Sequence, residues 1–278
     1  MTTLDNSGIN SHALQELCSR INMPAEASDR VLDTFERLNL PDLEPVEALR
    51  SKNLWDQGLK TLHRIFGEDP NGYKMLTCSL AAALLTKREY ERLGIEASVF
   101  YDTMGCFSRF VREHHESFGG YGFDREWWTT RQLSTLLFRL KTLEFEMGEF
   151  RGTPSICIHI PSDASITEER CQDSYSLARE FFRRYFPSFR YGSITCSSWL
   201  LSPALRDVLK PGSNILKFQD HFNILNTDPE DKEFIHWVFK NERLSITDYP
   251  SDTSLQRNIK QYMLEGHTIG SAEGELIQ

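Results

Sequence analysis

No apolar run in these 278 residues comes near the length of a membrane span, so no membrane-crossing helix is expected. Residues 1–20 lack the basic start and apolar stretch of a secretory leader, and no Asn-x-Ser/Thr glycosylation site occurs anywhere. Cysteine is sparse and scattered: Cys18, Cys78, Cys106, Cys157, Cys171 and Cys196 include no C-x-x-C pair. That spacing argues against a disulfide scaffold or a thiolate metal knuckle, and reduced thiols in a cytoplasm are the expected state. Positive charge is in deficit, with 31 Lys and Arg against 40 Asp and Glu and a net charge of −9. A duplex nucleic acid partner needs a basic surface and is not expected.

Motifs that name a chemistry are missing too. The chain has no G-x-x-x-x-G-K-[ST], no G-x-G-x-x-G, no H-E-x-x-H and no G-x-S-x-G, and GSAEG at 270–274 centres on Ala272 rather than a nucleophile. His114-His115-Glu116 looks like a metal cluster only in print. Neighbouring helical side chains point about 100° apart, so a solvated helix end is the simpler reading and no metal site is expected.

Hydrophobic residues make up 40% of the chain, enough for a packed core. The first part has helical periodicity. Leu14, Leu17 and Ile21 form one stripe, Val31, Leu32, Phe35 and Leu38 the next, then Leu59, Leu62, Ile65 and Phe66, then Met75, Leu76, Leu80 and Leu84. Pro24, Pro41, Pro45, the turn Glu68–Gly72 and Gly94 separate them. Ser98 could cap a helix that ends before Gly119-Gly120, and Asp124 could cap the next, with Trp127 and Trp128 expected to anchor it.

From about Phe138 the period shortens. Leu143, Phe145 and Met147 alternate with Glu144 and Glu146, which is strand behaviour with one wet face. Two carboxylates on one face can divide acid–base work, although a solvated face is the plainer reading. Residues 148–154 supply a turn, and SICIHIP (155–161) can return as a hairpin strand. A turn SDAS and a long helix over 167–186 follow, capped by Ser165 or Thr167. The remaining expectations are a strand over 192–198, a short helix over 203–209, a strand over 216–225, and helices over 230–239 and 254–264.

A strand that feeds a helix N-terminus makes an anion site, because the first helical N–H groups have no partner inside the helix. His159 and Cys196 both fall near the ends of strands that precede helices, where open α/β sheets bind ligands. An imidazole there could deprotonate an amine, and a thiolate beside it could act as a nucleophile. Ser197, Ser198 and Trp199 could line the same cleft. Arg257, near the start of the last helix, could hold a phosphate or pair with a surface carboxylate. Helices before residue 120 and α+β after it give two expected domains, 1–120 and 121–278.

Segments 100–122, 123–146, 156–171, 196–201, 213–222 and 250–257 together resemble acyltransferase-domain proteins of bacteria. Those proteins pair a helical N-terminal domain with a GNAT-like C-terminal domain. The resemblance implies an α+β fold: an all-helical N-terminal domain followed by a GNAT-like mixed β-sheet flanked by helices. It implies transfer of an acyl group from acyl-CoA to an amine, with acyl-CoA as a cosubstrate and no permanently bound cofactor. By the same resemblance Ser162–Thr167 would be the diphosphate turn, and Ile160, Ser162, Ser165, Thr167, Ser197 and Ser198 are the expected cofactor contacts. No catalytic residue carries over, so His159 as base and Cys196 as an alternative acyl-thioester nucleophile rest on their own chemistry and position. One departure stands out. The GNAT turn is glycine-rich, whereas PSDASITEER has no glycine and carries Asp163, Glu168 and Glu169, which would repel a diphosphate. That departure suits a rival reading, a noncatalytic ligand sensor or interaction module on a GNAT-like scaffold.

Overall fold

The computed structural model describes residues 8–38, 42–240 and 244–277. Pro41, one of the expected breakers, lies outside them. The chain forms two compact units, Met1–Arg139 and Leu140–Gln278.

The first unit is helical: α1 (Ser11–Arg20), α2 (Ala25–Arg37), α3 (Glu44–Ala48), α4 (Trp55–Phe66), α5 (Tyr73–Leu93), α6 (Ala97–Phe118) and α7 (Glu126–Leu133). Helix α5 is its centre. Its small residues Ala81, Ala82 and Ala83 are all buried, as are Met75, Leu76, Leu80 and Leu85 on other sides of the same helix. A helix apolar around most of its circumference belongs inside a core. The turn before it was legible and its details were not. Asp69 accepts hydrogen bonds from the N–H groups of Lys74 (3.2 Å) and Met75 (3.0 Å), taking the place of an N-cap side chain. Gly72 adopts φ +69°, and a Cβ there would lie 1.8 Å from the carbonyl oxygen of Phe123. Only glycine fits that approach.

Two local expectations in this unit need correction. Glu96 and Arg125, not Ser98 and Asp124, occupy the N-cap positions of α6 and α7, and neither helix has a side-chain cap. Trp127 is 53% exposed and meets Trp128 edge-on (5.7 Å, 80°), while Trp128 lies under the Arg131 guanidinium. The two compact units divide after Arg139, where composition in the sequence changes near residue 120. Helix α7 is tied to the preceding helices, with Thr86 donating its hydroxyl to the Leu133 carbonyl (2.7 Å).

The second unit is built on a mixed sheet of order β1-β2-β3-β4-β6-β5. Its strands are β1 (Leu137–Leu140, where the two units divide), β2 (Leu143–Phe150), β3 (Thr153–His159), β4 (Ser193–Ser198), β5 (Phe222–Asp228) and β6 (Ser271–Leu276). Strands β3 and β4 run parallel, joined by the long helix α8 (Glu168–Tyr185); β2–β3, β4–β6 and β6–β5 are antiparallel. Helices α9 (Leu205–Val208), α10 (Asn214–Gln219), α11 (Glu233–Phe239) and α12 (Ser254–Leu264) lie in the sequence between β4 and β6. They share a second small core containing Leu205, Leu216, Phe234, Phe239 and Ile259.

Strand alternation assigns the sheet's two faces. Phe145, Ile158 and Cys196 share one face with Met147, Ile156 and Ile194, and all are buried. The other face is polar, carrying Glu144, Glu146, Ser155, Cys157, His159 and Thr195.

The hairpin turn is shorter than expected. Phe150 pairs directly with Thr153, so only Arg151 (φ +51°) and Gly152 (φ +77°) form the loop. Residues 216–225 are not one strand: α10 occupies their first part, with the Ser213 side chain capping the Leu216 N–H, and β5 begins at Phe222. Strand β6 was not expected at all. Its inward residues Ala272 and Gly274 are too small to give an apolar signal. The Arg257 guanidinium donates to the carbonyls of Ser251 and Asp252, both at 2.8 Å, and so braces the start of α12.

Candidate functional site

The parallel pair β3–β4 is in register from Ser155↔Ser193 to Ile158↔Cys196, and the pairing stops there. Beyond that point β4 pairs only with β6, through Ser197↔Glu273 and Ser198↔Ala272. Strand β3 instead runs through His159 into the turn that leads to α8. The two strand ends therefore part company next to the start of a long helix.

The turn is held from two sides. The Pro161 carbonyl accepts the Ala164 N–H (2.9 Å), closing a β-turn over Pro161–Ala164. The buried Thr142 hydroxyl accepts the Ser165 N–H (2.8 Å) and donates to the Ser165 carbonyl (3.2 Å). Thr142 is fixed in turn, its N–H donating to Ser174 on α8 (3.1 Å). One threonine thus ties the backbone of a glycine-free turn to α8.

His159 is half-buried at the end of β3, and its Nε2 lies 2.9 Å from Glu146 Oε2. With the Nε2–H donating to the carboxylate, the ring's lone-pair nitrogen is Nδ1. Glu146 is the residue that sequence reasoning undervalued. It was assigned to a wet strand face, yet it is partly buried, and its neighbour Glu144 is only 2% exposed. The signal was available in the hairpin register: a two-residue turn places Glu144 opposite His159 and Glu146 opposite Cys157, all on one face.

Cys196 is not beside His159. It pairs with Ile158, points to the apolar face, and is buried there, where burial drives its thiol pKa far upward. A thiol that resists ionisation is a packing residue rather than a nucleophile. The expectation of an imidazole–thiolate pair is overturned by strand parity alone.

The expected cofactor residues fare differently from one another. Ile160 follows His159 where the β3–β4 pairing has ended, and Ser162 is exposed in the turn. Ser165 is committed through its backbone to Thr142. Thr167 is the N-cap of α8 in position, but its side chain makes no capping bond. By alternation Ser197 shares the His159 face and is exposed, whereas Ser198 turns the other way and accepts the Leu200 N–H (3.1 Å). His114 bonds the Gly120 carbonyl (2.7 Å) while His115 packs on Tyr121, so the two rings serve separate neighbours.

A sheet with one parallel pair diverging beside a helix N-terminus defines a GNAT-like α/β domain. Residues 112–276 match the family described as GNAT-like C-terminal domain, and the chain belongs to that family. Residues 12–135 match the N-acyltransferase N-terminal domain, which bears out the two-part resemblance seen in the sequence. Among solved structures, an acyltransferase in complex with decanoyl-CoA and teicoplanin superposes with a TM-score of 0.80 at 22% identity, covering 94% of this chain and 87% of that one. An acyltransferase in complex with CoA and 10C-teicoplanin gives the same TM-score and identity over 94% and 86%. A further acyltransferase complex, with decanoyl-CoA, gives 0.78 at 21%. No curated protein sequence matches the chain.

Proposed function

We propose that this chain is an acyltransferase that moves an acyl group from acyl-CoA to an amine. The observation that carries the reading is the end of β3–β4 pairing at Ile158 and Cys196, with the His159–Glu146 pair at the same strand end. Backbone groups of His159 and Ile160 would take the pantetheine arm. The Ser162–Thr167 turn and the first N–H groups of α8 would take the diphosphate. Acyltransferase structures of the same fold, holding decanoyl-CoA or CoA, support the choice of ligand. The reduced thiols suit a cytoplasmic setting, and no described helix is long and apolar enough to cross a membrane.

In this mechanism the amine attacks the thioester carbonyl, and the carbonyl electrons move onto oxygen. His159 Nδ1 removes the ammonium proton as the C–N bond forms, and Glu146 stabilises the resulting imidazolium. The tetrahedral intermediate collapses, breaking the C–S bond and releasing CoA as its thiolate. An exposed Ser197 on the His159 face would lie along the path of the leaving group.

The test is turnover of decanoyl-CoA with a panel of amines, read as released thiol, for the wild-type chain and His159→Ala. Loss of a general base lowers kcat by about 10²–10⁴-fold, and CoA affinity should stay within about twofold. Equal turnover by both chains contradicts the assignment. Tight acyl-CoA binding with no turnover by the wild type would favour the noncatalytic sensor, which the glycine-free turn also suits.

A further inference from the structure

The acyl-CoA reading leaves an electrostatic difficulty at the start of α8. Glu168 occupies the first helical position, and a carboxylate lying over the helix end would oppose a diphosphate there. The side chain goes elsewhere. Glu168 Oε2 accepts from His221 Nε2 at 2.8 Å, and Oε1 accepts from the Gln172 side-chain amide at 3.1 Å. Gln172 and Tyr175 follow Glu168 at i+4 and i+7, on one stripe of the helix. A carboxylate shared between Gln172 and His221 therefore lies along the flank of α8, one turn back from its end.

His221 is built to hold it. The residue sits between α10 and β5, and its side chain is 10% exposed, against 57% for Glu168. Its ring meets Tyr175 edge-on (5.7 Å, 88°) and Phe218 at 66° (6.0 Å), which fixes its plane. The Tyr175 hydroxyl lies 3.1 Å from His221 Nδ1. The Glu168 carboxylate can only accept, so Nε2 carries the hydrogen between them and the neutral ring offers Nδ1 as an acceptor to the Tyr175 hydroxyl. The imidazole hydrogen then sits on Nε2 and points at Glu168. Tyr175, His221 and Glu168 form a directed chain of donors ending on a carboxylate.

We propose that His221 is a positioning residue for acyl-CoA binding, drawing Glu168 along the flank of α8 and so clearing the helix's first N–H groups for the diphosphate. This rests on the acyl-CoA reading above. It removes the objection raised by one of the three acidic residues of the turn and gives His221 a task away from the reacting atoms.

Calorimetric titration of CoA into the full chain tests it, using wild type, His221→Ala, Glu168→Gln and the double variant at low and high salt. His221→Ala should weaken CoA roughly five- to tenfold at low salt, and less at high salt. Adding Glu168→Gln to that variant should restore wild-type affinity, and Glu168→Gln alone should bind at least as tightly as wild type. Tyr175→Phe keeps the ring packing and removes only the donor; it should show a smaller loss, again suppressed by Glu168→Gln. That pair serves if His221→Ala does not fold. A loss that persists in the double variant makes His221 a mere packing residue and overturns the proposal. So does unchanged affinity in His221→Ala while wild type binds CoA. A wild-type chain that binds no CoA removes the acyl-CoA reading itself, and this inference with it.

Discussion

Thr142→Val isolates the side chain that ties down the turn before α8. Valine keeps the volume and the β-branch and removes only the hydroxyl that accepts the Ser165 N–H (2.8 Å) and donates to the Ser165 carbonyl (3.2 Å). Two neutral hydrogen bonds at about 0.5–1.5 kcal/mol each set an upper figure near 3 kcal/mol. Ser165 is only partly buried, so water recovers some of that for its backbone groups, and a loss of about 1–2 kcal/mol is expected. At roughly 2–4 °C per kcal/mol for a chain of this size, Tm should fall by about 2–8 °C. Binding should suffer as well, since the turn now samples conformations that do not face α8. The assays are urea unfolding, amide exchange at Ser165 and CoA titration. Unchanged exchange at Ser165 together with wild-type CoA affinity would refute the claim that this threonine shapes the turn.

Other outcomes follow from single sites. Gly72→Ala should destabilise the helical unit by more than about 2 kcal/mol, because a Cβ at φ +69° meets the Phe123 carbonyl oxygen; a thermal shift below 2 °C speaks against that. Cys196 should resist iodoacetamide at pH 8 in the folded chain and react after unfolding, since burial raises its thiol pKa. Acyl transfer from acyl-CoA onto that sulfur, seen by intact mass, contradicts the packing role. Glu168 has its pKa lowered below the usual carboxylate value, chiefly by the hydrogen bond from His221. Its folded pKa lies below its unfolded one, so its contribution to stability is present above the unfolded value and lost as pH falls through the folded one. The difference in urea midpoint between wild type and Glu168→Gln should therefore exist at pH 7 and vanish in strong acid; a constant difference contradicts it.

Much of the architecture was readable because hydrophobic period reports burial directly. Helices α1, α2, α4, α5 and α6, the β2–β3 hairpin and the β3–α8–β4 sequence came from it, whereas α3 was hidden because Pro45, read as a breaker, sits in its first turn. Gly148 misled because glycine normally marks a turn. Here it lies inside β2 opposite Ser155, and a Cβ would sit 3.2 Å from the Cys157 sulfur. Residues 213–219 misled because a capping serine and tertiary burial of Leu216 and Phe218 outweighed an alternating pattern. The site was half legible. Local sequence placed His159 at a strand end, but the face of Cys196 depends on how β3 and β4 align across α8. Neither strand's own residues encode that register. His221 was invisible for the same reason, since its partners Glu168 and Tyr175 come from α8, far back along the chain.

The central claim is that the parting of β3 and β4 beside α8 receives acyl-CoA. A crystal of the full chain soaked with CoA tests it most directly. The account predicts density for the diphosphate on the N–H groups of residues 168–170, and for the pantetheine arm against His159 and Ile160. CoA bound elsewhere, with those groups and the Glu168–His221 contact unchanged, would contradict it.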